Sequence, residues 1–260
     1  DFQEAAKRAA TVIRANKTCQ TYSRFASTTV SDYWSEIGCI PGHNYQYGTL
    51  PGWKETRGKE AMQSYVTGPK GSCFGCPMPC FNKVEIRGGE YSGLTISSGT
   101  FVQVVLDFGA KCGIQSLPAI YKCKEVCHRL GMDYDSASGA IAFVMELYQR
   151  GLLSAKDAGG LDLSWGNVDT VLTLLGQIAR RIGLGDLLAE GTTIASKILG
   201  PQTEPYVMAV KGMEMLSSDV RSAPRGWSIG SLTNSRGGDN VPGSHMKGDS
   251  LPDLSLLESK

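Results

Sequence analysis

Long apolar runs are missing from this chain of 260 residues. Nowhere do about 18 consecutive apolar residues occur, so no segment reads as a membrane-spanning helix. No charged-then-apolar leader opens the sequence, so no secretory signal is read either, and the expectation is a cytoplasmic protein. An excess of one charge is also missing: 26 Lys and Arg stand against 25 Asp and Glu, a formal net of +1. With no basic cluster to offset that balance, there is no electrostatic case for nucleic acid or for an anionic membrane surface. Histidine is scarce, with His43, His128 and His245 scattered singly. No internal repeat appears, and no second C-x2-C knuckle.

Cysteine, in contrast, is concentrated. Of the 8 cysteines, Cys19 and Cys39 come early, Cys112, Cys123 and Cys127 come late, and three crowd into Ser72-Cys73-Phe74-Gly75-Cys76-Pro77-Met78-Pro79-Cys80. A disulfide scaffold would be shorter and more evenly spaced, so reduced thiols and one metal site fit better. The C-x2-C-x3-C spacing in a Pro/Gly-rich loop can turn Cys73, Cys76 and Cys80 toward one centre. Thiolates prefer zinc or iron–sulfur clusters, and both usually take four protein ligands. Zinc sites more often pair two knuckles, or one knuckle with two histidines. A 4Fe–4S cluster is therefore the expected occupant, with its fourth ligand elsewhere.

The remaining patterns are helical. Asp1 to Asn16 carries Phe2, Ala5, Ala6, Ala9, Val12 and Ile13 at helical spacing, a stripe expected to be core. A chain that begins within a helix suggests a piece of a larger protein. Thr18 to Gly71 lacks periodicity and reads as long ordered loops with short helices. Arg87 to Gly93 reads as a turn between two short strands. From Ser116 the signals strengthen: Ser116 is a plausible N-cap, and Ile120, Cys123, Val126, Cys127 and Leu130 form an apolar face ended by Gly131. Further helices are expected over 136–150, over 168–182 with Val171, Leu172, Leu175, Ile178 and Ile182 inward, and over 186–199, the last weakened by Gly191. Tyr206 to Val210 is expected to be extended.

Ordered along the chain, these stretches resemble the central part of the tungsten-containing aldehyde ferredoxin oxidoreductases. The resemblance rests on the three-cysteine loop with Pro77, Phe108-Gly109-Ala110-Lys111-Cys112-Gly113-Ile114, Leu130-Gly131-Met132-Asp133, Met145-Glu146-Leu147-Tyr148-Gln149-Arg150-Gly151, Gly185-Asp186-Leu187-Leu188-Ala189-Glu190-Gly191 and Val210-Lys211-Gly212-Met213-Glu214. It implies a mainly α fold, helical domains with long loops and few short strands. Residues 1–200 would form a helical domain carrying the cysteine loop, and residues 201–260 the start of a second, incomplete one. The family's N-terminal β-rich domain, which seats the cofactor, and its fourth cluster cysteine would lie outside this sequence. The implied chemistry is oxidation of an aldehyde to a carboxylate at a tungsten or molybdenum bis-pyranopterin, with electrons leaving through the cluster to ferredoxin or another electron-transfer subunit, and an oligomer is compatible with it.

Residue by residue, the resemblance transfers unevenly. The three cysteines match outright. The pterin-holding Asp-x-x-Gly-Leu-Asp turn reads His128-Arg129-Leu130-Gly131-Met132-Asp133 here, which implies pterin contacts from Asp133 and the backbone of Met132, while His128 offers fewer acceptors than the acid it replaces. Asp219 and Arg221 fall in a loop expected near the cofactor. Aldehyde-oxidising members carry a glutamate where this chain reads Thr100-Phe101-Val102-Gln103, and a histidine where it reads Asn240, after Arg236-Gly237-Gly238-Asp239. Proton work would then pass to His245, Asp239 or Glu214, with Asn240 at the histidine's position. The departures also suit a divergent member acting on an aromatic acyl-CoA. Two further readings remain open: an electron-transfer module completed by Cys112, and a helical piece that binds no metal.

Overall fold

The computed structural model describes residues 1–97, 99 and 101–239. Asn240 and His245 lie outside the described residues. The N-terminal helix α1 (Phe2–Ala15) is capped by Asp1, whose carboxylate accepts from Glu4 N at 3.0 Å. Asn16 breaks it and caps the next helix, α2 (Lys17–Phe25), accepting from Thr18 N at 2.9 Å. The stripe expected to be core is not: α1 has no buried residue, and Phe2 and Val12 are 86% and 71% exposed.

The aperiodic stretch that follows folds as expected, into the short helices α3 (Ser31–Glu36), α4 (Gly42–Tyr45), α5 (Trp53–Arg57) and α6 (Lys59–Gln63). Three short strands, β1 (Val66–Gly71), β2 (Phe81–Glu85) and β3 (Thr95–Ile96), make an antiparallel sheet in the order β1-β2-β3. Val66 faces Val84, and Val84 faces Ile96; the register slips between Thr67 and Gly71. Arg87 to Gly93 forms the turn expected between β2 and β3, closed by Gly93 N donating to Ile86 O at 2.8 Å.

The core lies in the second half. A short helix, α7 (Val102–Val104), runs into a π-helical turn over Val105–Lys111 whose residues are all buried. Next, α8 (Leu117–Leu130) is capped by Ser116 and stopped by Gly131. Its Ile120, Cys123 and Cys127 are buried, as the spacing predicts. The central helix α9 (Tyr134–Gln149) is buried continuously from Ala137 to Leu147. Small residues along it let neighbours approach closely: a Cβ on Gly139 would stand 3.1 Å from Glu214 Cγ.

After α9, α10 (Val168–Arg180) ends earlier than its pattern suggests, because Arg181 adopts a left-handed conformation and leaves Ile182 51% exposed. The helix expected over 186–199 is two, α11 (Leu184–Leu188) and α12 (Thr192–Leu199), parted at Gly191, whose φ of +80° a helix cannot hold. A hairpin of β4 (Ala209–Val210) and β5 (Met213–Glu214) follows. Lys211 and Gly212, both with positive φ, form its turn. The last described helix is α13 (Arg225–Thr233). Burying each large apolar side chain in this core contributes about 1.5–3 kcal/mol. Helix packing carries the fold, and the small sheet presents a loop.

Candidate functional site

That loop is Ser72–Cys80, the connection between β1 and β2. Strand pairing holds both of its ends, with Gly71 facing Phe81. Inside it, Gly75 takes a left-handed φ of +72° and Cys76 N donates to Cys73 O at 3.0 Å, a tight turn that brings the first two cysteines together. Cys73 is exposed, Cys76 and Cys80 are half-buried, and none is in a disulfide. Burial pushes the Cys80 thiol up, and the neighbouring Cys73 and Cys76 add to it, so the three sulfurs sense one another. Helix α2 braces the loop: Ser23 Oγ donates to Pro79 O at 3.1 Å, and Lys70 Nζ donates to Ser23 O at 2.6 Å. Between them lies a groove of about 500 Å³ that Cys19 also lines, a cysteine to which the sequence assigned no role.

The donor set fits a thiolate-bound soft-metal centre. Among the described residues no three His, Cys, Asp or Glu side chains close around one point, so the loop supplies donors and not a finished cage. Cys112 does not complete it. That residue is fully buried in the helical core, where its thiol donates to Ser138 O at 3.6 Å.

A second site opens at the start of α9. A cleft of about 440 Å³ is lined by Gln103, Asp133, Asp135, Glu214, Arg236 and Asp239, among others. Residues far apart in the sequence meet here, including Gln103, from the stretch that offers no acid, and Arg236 and Asp239, which precede Asn240 in sequence. Asp133 is exposed at the cleft, but its carboxylate is also the N-cap of α9, accepting from Ser136 N at 3.1 Å. Met132 is half-buried beside it, and His128 stands exposed on the last turn of α8, its ring 6.1 Å from that of Tyr134. Though its edge is exposed, partial desolvation holds His128 below the ordinary histidine range, aided by Lys124 and opposed by Glu125.

Glu214 is buried, and Oε1 accepts from Thr192 N at 2.6 Å and Thr192 Oγ1 at 3.0 Å. It therefore caps α12 from across the fold while forming part of the cleft wall. Arg236 and Asp239 pair at 2.8 Å. Asp219 and Arg221 pair with each other at 2.6 Å and do not line this cleft. Arg221 also donates to Tyr45 O. This fastens the 217–221 loop to a strained turn, since His43, Asn44 and Tyr45 all have positive φ, at 49°, 53° and 67°. Such residues cost about 1–3 kcal/mol each and persist only where their surroundings hold them. Here Asn44 Nδ2 donates to Glu146 Oε2 at 2.7 Å, Tyr45 Oη donates to Leu216 O at 2.7 Å, and His43 stacks on Trp165 at 4.6 Å.

Under the cleft sits an ion pair that the sequence reading passed over. Asp107 and Lys111 meet at 2.6 Å with both side chains fully buried. Burial pushes Asp107 well above the usual carboxylate range; the charge of Asp135 adds to this and Lys111 opposes it. Burial works against the Lys111 ammonium, but Asp107, Tyr45 and Asp135 overcome it and keep it charged. The signal was present: an acid and a base four positions apart in an otherwise apolar segment point at each other on a helix.

Comparison with known proteins agrees with this layout. A family profile described as "Aldehyde ferredoxin oxidoreductase, domains 2 & 3" matches residues 4–255. The chain is 30% identical over 226 residues to the tungsten-containing aldehyde ferredoxin oxidoreductase of Pyrococcus furiosus, a match covering 84% of this chain and 35% of that protein. An aliphatic sulfonate oxidoreductase, WOR-like subunit, of the same organism is 33% identical over 153 residues, covering 57% of this chain and 24% of that protein. Among solved structures, the active-site complex BamBC of benzoyl coenzyme A reductase matches with a TM-score of 0.58 at 24% identity, over 74% of this chain and 28% of that one. That match is a likeness of fold. The chain thus spans about a third of the length of the curated relatives it matches, at 35% of the Pyrococcus furiosus enzyme.

Proposed function

The chain belongs to the aldehyde ferredoxin oxidoreductase family, and on that premise we propose that it forms the electron-outlet and cleft-wall portion of a tungsten or molybdenum bis-pyranopterin enzyme. The activity proposed is oxidation of an aldehyde to a carboxylate, with electrons leaving one at a time through a 4Fe–4S cluster to ferredoxin or a partner subunit. The observation that carries this reading is the strand-anchored loop presenting Cys73, Cys76 and Cys80 on a helical body that the family profile matches from residue 4 to 255. When bound, the pterin-held metal supplies the two-electron chemistry.

The chain's own residues divide the remaining work. The three cysteines would hold the cluster. Asp133 and the backbone of Met132, with His128 behind them, would contact the pterin, and Gln103, Arg236 and Asp239 would border the substrate side of the same cleft. Asp219 and Arg221 act at one remove, fixing the loop that ends the cleft wall. Glu214, committed to Thr192, shapes that wall. Asn240, which follows Asp239 directly in sequence, and His245, five residues further on, are proposed for the proton work. The native protein, purified without oxygen, is expected to reduce ferredoxin when given an aldehyde; a metal-loaded protein inert toward a panel of aldehydes would contradict this activity.

A divergent substrate is the second reading, and one observation favours it: Gln103, which borders the cleft, belongs to the stretch that offers no acid where aldehyde-oxidising members carry a glutamate. Under that reading the same protein leaves aldehydes unchanged and turns over another class, an aromatic acyl-CoA being the first to try.

A further inference from the structure

The cluster of Asp107, Lys111 and Asp135 beneath the cleft takes no part in the roles assigned so far. Lys111 Nζ lies 2.6 Å from Asp107 Oδ1 and donates to Met215 O at 3.0 Å and Asp135 O at 3.4 Å. Its approach to Asp107 is poorly aligned, and neither oxygen of that fully buried carboxyl receives a well-directed hydrogen bond. The same carboxyl lies within hydrogen-bonding reach of Asp135. Asp135 in turn lines the cleft, and Ser217 Oγ donates to its Oδ1 at 2.8 Å.

Two adjoining carboxyl groups cannot both carry charge out of water at low cost, and a single lysine offsets only one of them. Besides Lys111, the titratable groups facing Asp107 are Asp135 and Tyr134 at the start of α9, Tyr45 from α4, Cys112, and Cys127 from α8. Burial pushes each of these phenols and thiols upward, so all four stay neutral near pH 7. With Lys111 bearing one positive charge, and Asp133, Glu214, Arg236 and Asp239 lining the cleft on the other side of Asp135, a neutral cluster leaves the two carboxyls one proton and one negative charge to share.

We infer that Asp107 and Asp135 are a proton-sharing carboxyl pair, and that Asp135 exchanges protons with the contents of the cleft. The inference rests on reading this cleft as the substrate side of the oxidoreductase. It supplies an acid/base group at a wall where residue 103 has none. A proton released in the cleft bonds to Asp135, and the pair then holds two protons and no charge; the reverse step returns that proton. Only O–H bonds change, and no electrons move. Asp135 is the catalytic residue, and Asp107 is a positioning residue that acts through it.

Isotope-edited infrared spectroscopy of the native protein, with labelled aspartate, reads this protonation without turnover. A protonated carboxyl band is expected at neutral pH and is lost in Asp107→Asn and in Asp135→Asn alike, because one carboxylate left beside Lys111 is offset by its charge. Absence of the band in the native protein, or a band indifferent to Asp135→Asn, would overturn the pairing. Should Asp107→Asn fail to fold, Asp135→Asn carries the test alone, because Asp135 is half-buried at the cleft edge. In the loaded enzyme, Asp135→Asn should move the acidic limb of kcat against pH with KM little changed, and an unmoved limb overturns the proton exchange. If the band behaves as expected in an enzyme that leaves aldehydes untouched, the pair stands and the aldehyde reading falls. Aldehyde turnover with an unmoved limb has the opposite meaning.

Discussion

The hairpin loop of Cys73, Cys76 and Cys80 and the buried cluster of Asp107, Lys111 and Asp135 concentrate reactive groups in opposite ways. In the loop, donors sit within a few residues of one another, half in solvent, on a strand connection held at its ends and braced by α2. In the cluster, Asp107 and Lys111 of a π-helical turn are sealed inside packed helices, and Asp135 at the start of α9 connects them to the cleft. The loop costs the fold little and gains meaning from what it binds. The cluster is expensive to bury and is held by everything around it. Reactivity toward outside reagents should follow the first region, and stability the second.

Thiol reactivity should show the widest gap. Burial pushes Cys39 and Cys127 up to about 12, so at neutral pH each carries over roughly a thousandfold less thiolate than an ordinary thiol near 8.5. In reduced, metal-stripped protein, iodoacetamide mapped by mass spectrometry should modify Cys73 first and reach Cys39, Cys112, Cys123 and Cys127 only on unfolding. Comparable labelling of both sets would erase the contrast.

Stability gives the next largest difference. Asp107→Asn takes away the fully buried partner of Lys111, leaves only the cleft-edge Asp135 to offset its charge, and should lower unfolding free energy by about 3–5 kcal/mol. Cys76→Ser in the metal-stripped protein should change it by less than about 0.5 kcal/mol. Urea melts of both variants make the comparison, and similar losses would mean that the loop is more tightly built than its exposure suggests. A smaller effect belongs to Asp133, which serves both the cleft and the fold. As the N-cap of α9, its replacement in Asp133→Ala should cost about 1 kcal/mol in the same melts.

The smallest effect is a pH slope. Burial, with help from Arg57, holds His43 below its ordinary value. The unfolded chain therefore binds a proton that the folded one resists, and stability is lost as pH falls through the ordinary range near about 6.5 toward the lower folded value. His43→Gln should flatten the dependence of the urea midpoint on pH over that window, measured against its own value at neutral pH.

How much of this was legible depended on range. The cysteine loop was fully readable because its donors are neighbours in sequence and their spacing is itself the signal. Helices α8 and α9 were readable from periodicity, and α8 also from its ends, since Ser116 and Gly131 act within one turn of where they stand. The stripe of α1 misled, because periodicity reports that an apolar face exists and not that anything covers it. Gly191 was noted as a weakness but split its helix outright, a backbone demand that outweighs side-chain pattern. Asp135 was not legible as a site residue, since only folding brings residues 103, 133–136, 214 and 236–239 to one cleft. For Glu214 the sequence suggested chemistry, and the packing of α12 against β5 added a structural task that no local spacing encodes.

Metal content is the most direct test of the central claim, that the Cys73, Cys76 and Cys80 loop is the electron outlet of a pterin-dependent oxidoreductase. Elemental analysis of the native protein, purified without oxygen, should find about four irons per chain together with tungsten or molybdenum. Cys76→Ser should lose the iron while the protein stays folded. Zinc in place of iron, or iron retained in full by that variant, would contradict the account.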